Sequence, residues 1–301
     1  MRLLVTGSGG FVGSRFLATL AESTPEWPVR CLSRKPDRVR DRLPPAAAHW
    51  AYLTHDLARD PIPVEWLADV ECVVHLAAAT GRANHQTYDA VNRQGTARLA
   101  LACKQAGVQR FVLVSSVAAG FGDTRYYPYA WSKRAAEEAV KETAIQAIVM
   151  RPTMIFGPGS AVAAGLRSLA GGPALLLPGR CTYAVQPVGV GDVVRAIRQA
   201  VEPTTGPGLY GVGGPECLSM RELLERLRHA LGKAPGPILP MPLGPLRSAL
   251  GMIERLIGPR LPVTAGQLAS FANPATVLDL PSLAKPTVDL DTMIAESFPN
   301  E

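Results

Sequence analysis

No apolar run in the chain reaches the roughly 18 residues that cross a membrane as one helix. The short apolar stretch near Met1 passes straight into glycines, so no secretory signal is expected there. The five cysteines, at 31, 72, 103, 181 and 217, form no C-x-x-C pair. That spacing argues against a disulfide framework and for thiols in a reducing compartment, so a cytoplasmic protein is expected. The five histidines (49, 55, 75, 85, 229) show no ligand spacing, and no metal site is expected. Aromatic residues are scarce, at 6%. None is interleaved with the basic run from Arg30 to Arg42, so nucleic acid is not expected as a partner. A solvated face or a site for a phosphorylated ligand explains that run better.

What is present is ordinary soluble composition: 301 residues, 47% hydrophobic and 19% charged, with net charge +6. That length holds one large domain or two unequal ones. Near the start, Leu3-Leu4-Val5 runs into Thr6-Gly7-Ser8-Gly9-Gly10-Phe11-Val12-Gly13. An amphipathic run follows, with Val12, Phe16, Leu17 and Leu20 on one face. Strand, glycine turn and helix in that order are the context of a dinucleotide-binding turn. Gly7 frees the chain to take a positive φ, Gly10 lets the backbone approach a pyrophosphate, and Gly13 lets helix and strand close up. The unpaired N–H groups at the helix start, with Gly9, Phe11 and Val12, would then meet phosphates.

Val29–Leu32 reads as a second strand. In a Rossmann unit an acidic residue about 20 positions past the glycine turn holds the ribose hydroxyls. Here Ser33-Arg34-Lys35 takes that place. A carboxylate would repel a 2′-phosphate, whereas the planar fork of Arg34 can bind one, so NADP(H) is expected over NAD(H). Residues 50–54 read as a weak third strand, with Asp56-Leu57 behind it. Asp56 could accept from the adenine amino group or cap the next turn. Val70–Leu76 is a strongly apolar fourth strand, and small residues at Ala77 and Ala78, beside Leu76, leave room for a cofactor ribose. Residues 84–106 read as one helix with Asn92, Thr96, Leu99 and Cys103 on a stripe, stopped by Gly107. A polar Asn92 on that stripe predicts a buried hydrogen bond to a strand end.

A fifth strand, Arg110–Val114, runs into Ser115-Ser116. Tyr129-Ala130-Trp131-Ser132-Lys133 opens a helix reaching Thr143, with Tyr129 and Lys133 on one face. A sixth strand over 147–150 ends at Arg151-Pro152. Strand–helix alternation with apolar strands predicts an α/β fold, a doubly wound parallel Rossmann sheet, over 1–152. Residues 183–202 are expected to return to it. Residues 153–301 form a smaller C-terminal substrate-side subdomain and arm, rich in Gly and Pro over 157–215. Ser219-x-x-Glu222 is a capping box opening a helix that Gly232 stops. Leu246, Leu250, Ile253 and Ile257 mark another helix with arginines nearby. Packing within its own subdomain is the default for that helix. A homodimer contact, or an anionic membrane surface reached through 246–260, are the other roles open to it.

Ser116, Tyr129 and Lys133 suit hydride chemistry on a carbinol or ketone. A free tyrosine is too weak a base at neutral pH, and a nearby ammonium favours its phenolate. Lys133 could also hold the ribose hydroxyls, while a serine at a strand end orients the substrate oxygen.

The motifs Thr6–Gly13, Val91-Asn92-x-x-Gly95-Thr96, Ser115-Ser116 and Tyr129-x-x-Ser132-Lys133 lie in order along the chain. After them come Arg151-Pro152-Thr153-Met154-Ile155-Phe156-Gly157-Pro158-Gly159 and Gln186-Pro187-Val188-x-Val190-x-Asp192-Val193. Together they resemble the extended short-chain dehydrogenase/reductases, the NAD-dependent epimerase/dehydratase type. The resemblance implies Ser116, Tyr129 and Lys133 as a catalytic triad. It also implies that Pro152, Thr153 and Ile155 contact the nicotinamide end and that the C-terminal part shapes the pocket of a small-molecule substrate, such as a nucleotide sugar. Counting back five from Gly122 reaches Val117, whereas the strand from Phe111 reaches Ser116, and loops absorb insertions better than strands. Leu261-Pro262-Val263-Thr264-x-x-Gln267-Leu268 resembles the atypical branch that includes the Rossmann-fold accessory subunit of respiratory complex I. That likeness leaves a second expectation, a cofactor-binding accessory protein without turnover.

Overall fold

The structure is a computed structural model. It describes residues 1–81, 83–122, 124, 127–179, 181–234, 237–241 and 273–298. The helix expected around Leu246–Ile257 and the Leu261–Leu268 motif lie outside the described residues.

Seven strands form one sheet. They are β1 (Leu3–Thr6), β2 (Val29–Ser33), β3 (Ala51–Thr54), β4 (Cys72–His75), β5 (Arg110–Val114), β6 (Ala147–Pro152) and an edge strand, Gly208–Val212. Every pairing in the sheet is parallel, and from the edge strand the order runs 6-5-4-1-2-3. The order reverses between β1 and β4: β2 and β3 lie outward from β1 on one side, and β5 and β6 outward from β4 on the other. In open sheets of this kind ligands bind at that reversal, beyond the carboxyl ends of the strands. β1 and β4 are wholly buried because helices cover both faces, and this is why they read as unbroken apolar runs.

A short α2 (Pro36–Arg40) follows β2, and on one face α1 (Phe11–Ser23) packs through Phe16, Leu17 and Leu20 beside α7 (Val190–Val201). On the other, Leu99, Ala100 and Cys103 of α4 (Thr96–Gln105) and Val140 of α5 (Pro128–Glu142) cover Phe111 and Leu113. A single helix over 84–106 is not what forms. A short α3 (His85–Tyr88) passes into a π turn, Asp89–Gly95, before α4. The extra residue per turn keeps Asn92 buried at 1% exposure while Arg93 reaches back to Asp89 at 2.5 Å.

The edge strand corrects the expected division of the chain. Gly208–Val212 joins the main sheet beyond the segment 183–202 that alone was expected to return. With glycine at 208 and 211 it lacks the apolar run that marked the other strands.

The smaller part is built on two helices, α6 (Ala161–Ala170) and α8 (Met220–Ala230), packed around Leu166, Ala170, Leu223, Leu224 and Leu227. The second carries the full reciprocal capping box of Ser219 and Glu222, and Gly232 follows it at φ +65°. The first is absent from the expectation, its Ala/Gly-rich sequence giving little periodicity; Ser160 caps it by accepting from Ala163 N. Buried Arg228 spans both C-terminal ends, donating to the carbonyls of Ala170, Gly172 and Ala234. A last helix, Leu290–Ser297, closes this layer. Asp192, 2% exposed, ties the approach to it by accepting from the Thr287 and Val288 amides.

Candidate active site

Every strand-end residue of interest lies on the carboxyl edge of the sheet. At the end of β1, Gly7 takes φ +68°, and a Cβ there would come within 2.5 Å of the Ala77 nitrogen. A Cβ on Gly13 would collide with the Gly7 carbonyl. Gly10 caps α1 with its backbone extended and no side chain over the helix start. Gly9 and Gly10 are exposed, and Phe11 and Val12 are half-buried on the first turn. The turn therefore presents bare N–H groups to the edge where β1 meets β4.

The loop after β4 is pinned beside it. Thr6 Oγ1 bonds His75 Nδ1 at 2.6 Å and accepts from Ala77 N at 3.3 Å, and His75 Nε2 meets Thr96 Oγ1 at 2.8 Å. Burial holds His75 neutral, its pKa lowered to about 3. Leu76, Ala77 and Ala78 are half-buried along this loop.

At the end of β2, Ser33 Oγ accepts from Lys35 N, and Arg34 is exposed with no ion pair among the described residues. The basic run divides by role. Arg30 donates to the carbonyls of Trp66 and Ala68, and Arg40 pairs with Asp37 and Asp41, while Arg34 stays available. At the end of β3, Asp56 Oδ1 accepts from Ala58 N at 3.0 Å, the turn-capping alternative, and Leu57 is buried against Gly95.

Asn92 forms a buried hydrogen bond, but to the loop after β4 and to α5 rather than to the strand end expected. Its amide accepts from Ala79 N at 2.7 Å and donates to Ala79 O and Ser132 Oγ. Ser132 in turn donates to Tyr129 O at 2.8 Å, so the π turn holds the first turn of α5. Asn92 thereby acts on the site through Ser132, with its own amide engaged by protein.

Ser116 and Tyr129 meet at the end of β5. Ser116 lies beside the Tyr129 phenol and favours its ionised form, and its hydroxyl accepts from Ala118 N at 3.2 Å. Lys133, 5% exposed, donates through Nζ to Val114 O at 2.9 Å. The expected lowering of the tyrosine is not found in the chain by itself. Burial pushes the Tyr129 phenol up to about 12, with Tyr88 adding to the rise and Ser116 opposing it. Burial also brings Lys133 down to about 8. Two groups removed from water both favour their neutral forms, and neither shift carries a contribution from the other group.

Tyr129 sits in an aromatic cluster with its neighbour Tyr127 and with Tyr88, which the sequence did not signal because it comes from a separate segment. Tyr88 lies edge-on at 5.9 Å between centroids and Tyr127 at 5.8 Å. At the end of β6, Pro152 and Thr153 are buried and Ile155 half-buried. Thr153 N donates to Val212 O at 3.0 Å, so this segment bridges the main sheet to the smaller part.

These residues fit a dinucleotide. Gly7 and Gly13 admit no side chain because the turn, α1 and the loop after β4 close on one another there, and this leaves the exposed Gly9–Gly10 turn bare at the strand reversal, as a dinucleotide needs. Ser115, 4% exposed, carries a buried hydroxyl without a partner at the strand end next to Val114. Among the described residues no cluster of His, Cys, Asp or Glu could hold a metal ion, and no helix is long and apolar enough to cross a membrane.

Comparison with known proteins agrees with this arrangement. The model of the NAD dependent epimerase/dehydratase family matches residues 3–213. Ceramide reductase of Caulobacter vibrioides is 35% identical over 172 residues, covering 55% of this chain and 50% of that protein. The match thus spans half the length of that relative. 2-Alkyl-3-oxoalkanoate reductase of Stenotrophomonas maltophilia is 26% identical over 259 residues, 77% of this chain and 76% of that one. UDP-glucuronic acid 4-epimerase of Bacillus cereus, solved with NAD, superposes with a TM-score of 0.71 at 18% identity, over 99% of this chain and 97% of that one. A seven-stranded parallel sheet, a glycine turn at the strand reversal and a family match over residues 3–213 lead to one assignment. The chain belongs to the NAD dependent epimerase/dehydratase family, enzymes of the extended short-chain dehydrogenase/reductase type.

Proposed function

We propose that this protein is an NADP(H)-dependent reductase that moves a hydride between the nicotinamide and a ketone or carbinol carbon of a small molecule, with a cytoplasmic location. The observation that carries the reading is the convergence of Ser116, Tyr129 and buried Lys133 at the end of β5, where Lys133 Nζ donates to Val114 O. The bound cofactor supplies the hydride. Tyr129, neutral across the physiological range, donates the proton to the carbonyl oxygen as that oxygen gains negative charge. Ser116 donates to the same oxygen and holds it at the phenol. Lys133 holds the ribose hydroxyls with the ammonium donors that Val114 O leaves over. Gly7 and Gly13 let the turn and α1 close up, so that the first N–H groups of α1, beside exposed Gly9 and Gly10, receive the pyrophosphate.

Arg34 supports NADP(H), since no carboxylate stands at the end of β2 to receive ribose hydroxyls. The epimerase whose fold is similar is described with NAD. Both curated relatives are named as reductases, and one of them as acting on an oxoalkanoate. The aromatic wall of Tyr88 and Tyr127 at Tyr129 favours a substrate with apolar groups near its carbonyl. A nucleotide sugar is the second reading, supported by the epimerase fold.

Titrating both cofactors and then screening ketones and nucleotide sugars for NADPH consumption tests the proposal. Tighter NADPH binding with consumption dependent on a ketone is expected. Equal or tighter NADH binding would remove the NADP(H) assignment, and consumption only with nucleotide sugars would move the substrate class.

A further inference from the structure

Helix α5 carries a second polar pair below the site. Glu137 stands one turn after Lys133 on the same face, and Arg151 reaches it from the end of β6. Their two parallel hydrogen bonds measure 2.9 and 2.6 Å, with side chains only 12% and 19% exposed. A Cβ on Gly120 would come within 3.1 Å of Arg151 Nη1, so a glycine there gives the guanidinium its place.

We propose that Glu137 and Arg151 are positioning residues for Lys133: their pair fixes the turn of α5 that carries the lysine and sets the charge the lysine meets. The inference rests on the reading of Lys133 as a cofactor-holding residue. Glu137 by itself would draw the ammonium along the helix, away from Val114 and the β5 end. Arg151 occupies both carboxylate oxygens in a bidentate fork and offsets the charge. What reaches Lys133 is a residual attraction that opposes its desolvation.

The other titratable and charged groups on the elements packed against α5 are engaged elsewhere. His75 on β4 is neutral and bonded to Thr6 and Thr96. Tyr129, one turn earlier, lies beside Ser116. Asp89 and Arg93 on the π turn pair with each other, and Arg98 of α4 donates to Leu57 O. Arg134 donates to the carbonyls of Ala119 and Phe121, and His85 of α3 stacks on Trp131. Glu137 is therefore the carboxylate that governs Lys133, and Arg151 governs how strongly it does so.

The two halves of the pair make opposite predictions. Glu137→Gln keeps the shape and removes the attraction, so Lys133 loses its proton at lower pH. Arg151→Met leaves the carboxylate uncompensated, so Lys133 keeps its proton to higher pH. Each displacement should be about one pH unit. The measurement is the NMR titration of the Lys133 ε-CH2 signal in lysine-labelled protein, assigned by Lys133→Met, with no cofactor added. Arg151→Lys should return the midpoint to that of the native chain while melting lower, since an ammonium restores charge without the fork. Shifts of opposite sign support the proposal, and either of the first two variants carries the test if the other fails to fold. Unmoved midpoints in folded variants, or shifts of the same sign, would overturn it. NADPH binding by the native chain is measured separately, and its absence would count against the cofactor assignment while leaving the titration result standing.

Discussion

Individual side chains carry the sharpest consequences. Tyr129→Phe keeps the aromatic contacts with Tyr88 and Tyr127 but has no proton to give, so cofactor binding should persist. Turnover should fall by roughly 10²–10⁴-fold, the range for a positioned acid. Arg34→Ala should weaken NADPH about ten- to a hundredfold, from the 1.5–3 kcal/mol of a hydrogen bond to a charged group, with NADH little affected. A parallel fluorescence titration of both cofactors decides it, and equal losses for the two would remove Arg34 from the choice. Lys133 predicts a pH dependence. Its folded pKa, about 8, lies below the ordinary 10.5, so the charge that holds the ribose hydroxyls is complete only below about 8. NADPH affinity should decline as pH rises through that value and level off above it. Affinity that stays flat to pH 10 would contradict the assignment. Tyr129 and Lys133 were legible as a pair because helical spacing alone puts them on one face. The direction of their proton affinities was not legible, since desolvation depends on the separate segments that bury them.

Among the elements, β1 with its glycine turn and β4 with its loop are the parts on which the site is most dependent, and they were readable as apolar strands followed by glycine or alanine. Gly13→Ala should force α1 away from the Gly7 carbonyl and cost both cofactor affinity and several degrees of melting temperature. The bond between them, Thr6–His75–Thr96, was not readable, because nothing local in the sequence links residues so far apart. It makes an acid-sensitive joint. The folded pKa of His75 is about 3 against 6.5, so the unfolded chain binds the extra proton first. The stability it contributes is complete above about 6.5 and is lost as pH falls toward 3, up to about 5 kcal/mol in all. Urea melts across that window should show the loss, and His75→Gln should be less stable at pH 7 with a flatter acid limb. A limb unchanged by that substitution would show that other groups carry the acid dependence. The break of the expected helix 84–106 into α3, a π turn and α4 was equally hidden. Apolar spacing cannot tell a π turn from an α turn over seven residues when the stripe on either side is kept.

For the molecule as a whole, the question is how the last segment is held to the sheet. Asp192, at the start of Val190–Val201, accepts from the Thr287 and Val288 amides and pairs with Arg195, and Ser297 Oγ accepts from Gly157 N. These bonds join the N-terminal sheet to a C-terminal helix that the sequence did not reveal, since its eight residues carry only Leu290, Met293 and Ile294 inward. Asp192→Ala should remove about 2 kcal/mol, the scale of losing a partnered buried carboxylate, and raise hydrogen exchange over 287–297 ahead of the sheet. Uniform exchange would show that this segment is not a separate unit. The parallel sheet was legible almost completely, apart from its glycine-bearing edge strand. The smaller part was legible only at α8, where the capping box and leucine stripe are local signals. The central claim is hydride transfer assisted by Tyr129, and following a deuterium label tests it directly. With NADPH deuterated at nicotinamide C4 and an accepted ketone, the native chain should place deuterium on the carbinol carbon, and Tyr129→Phe should do so at least a hundredfold more slowly. Full-rate transfer by Tyr129→Phe, or no transfer to any ketone by a native chain saturated with NADPH, would contradict the account.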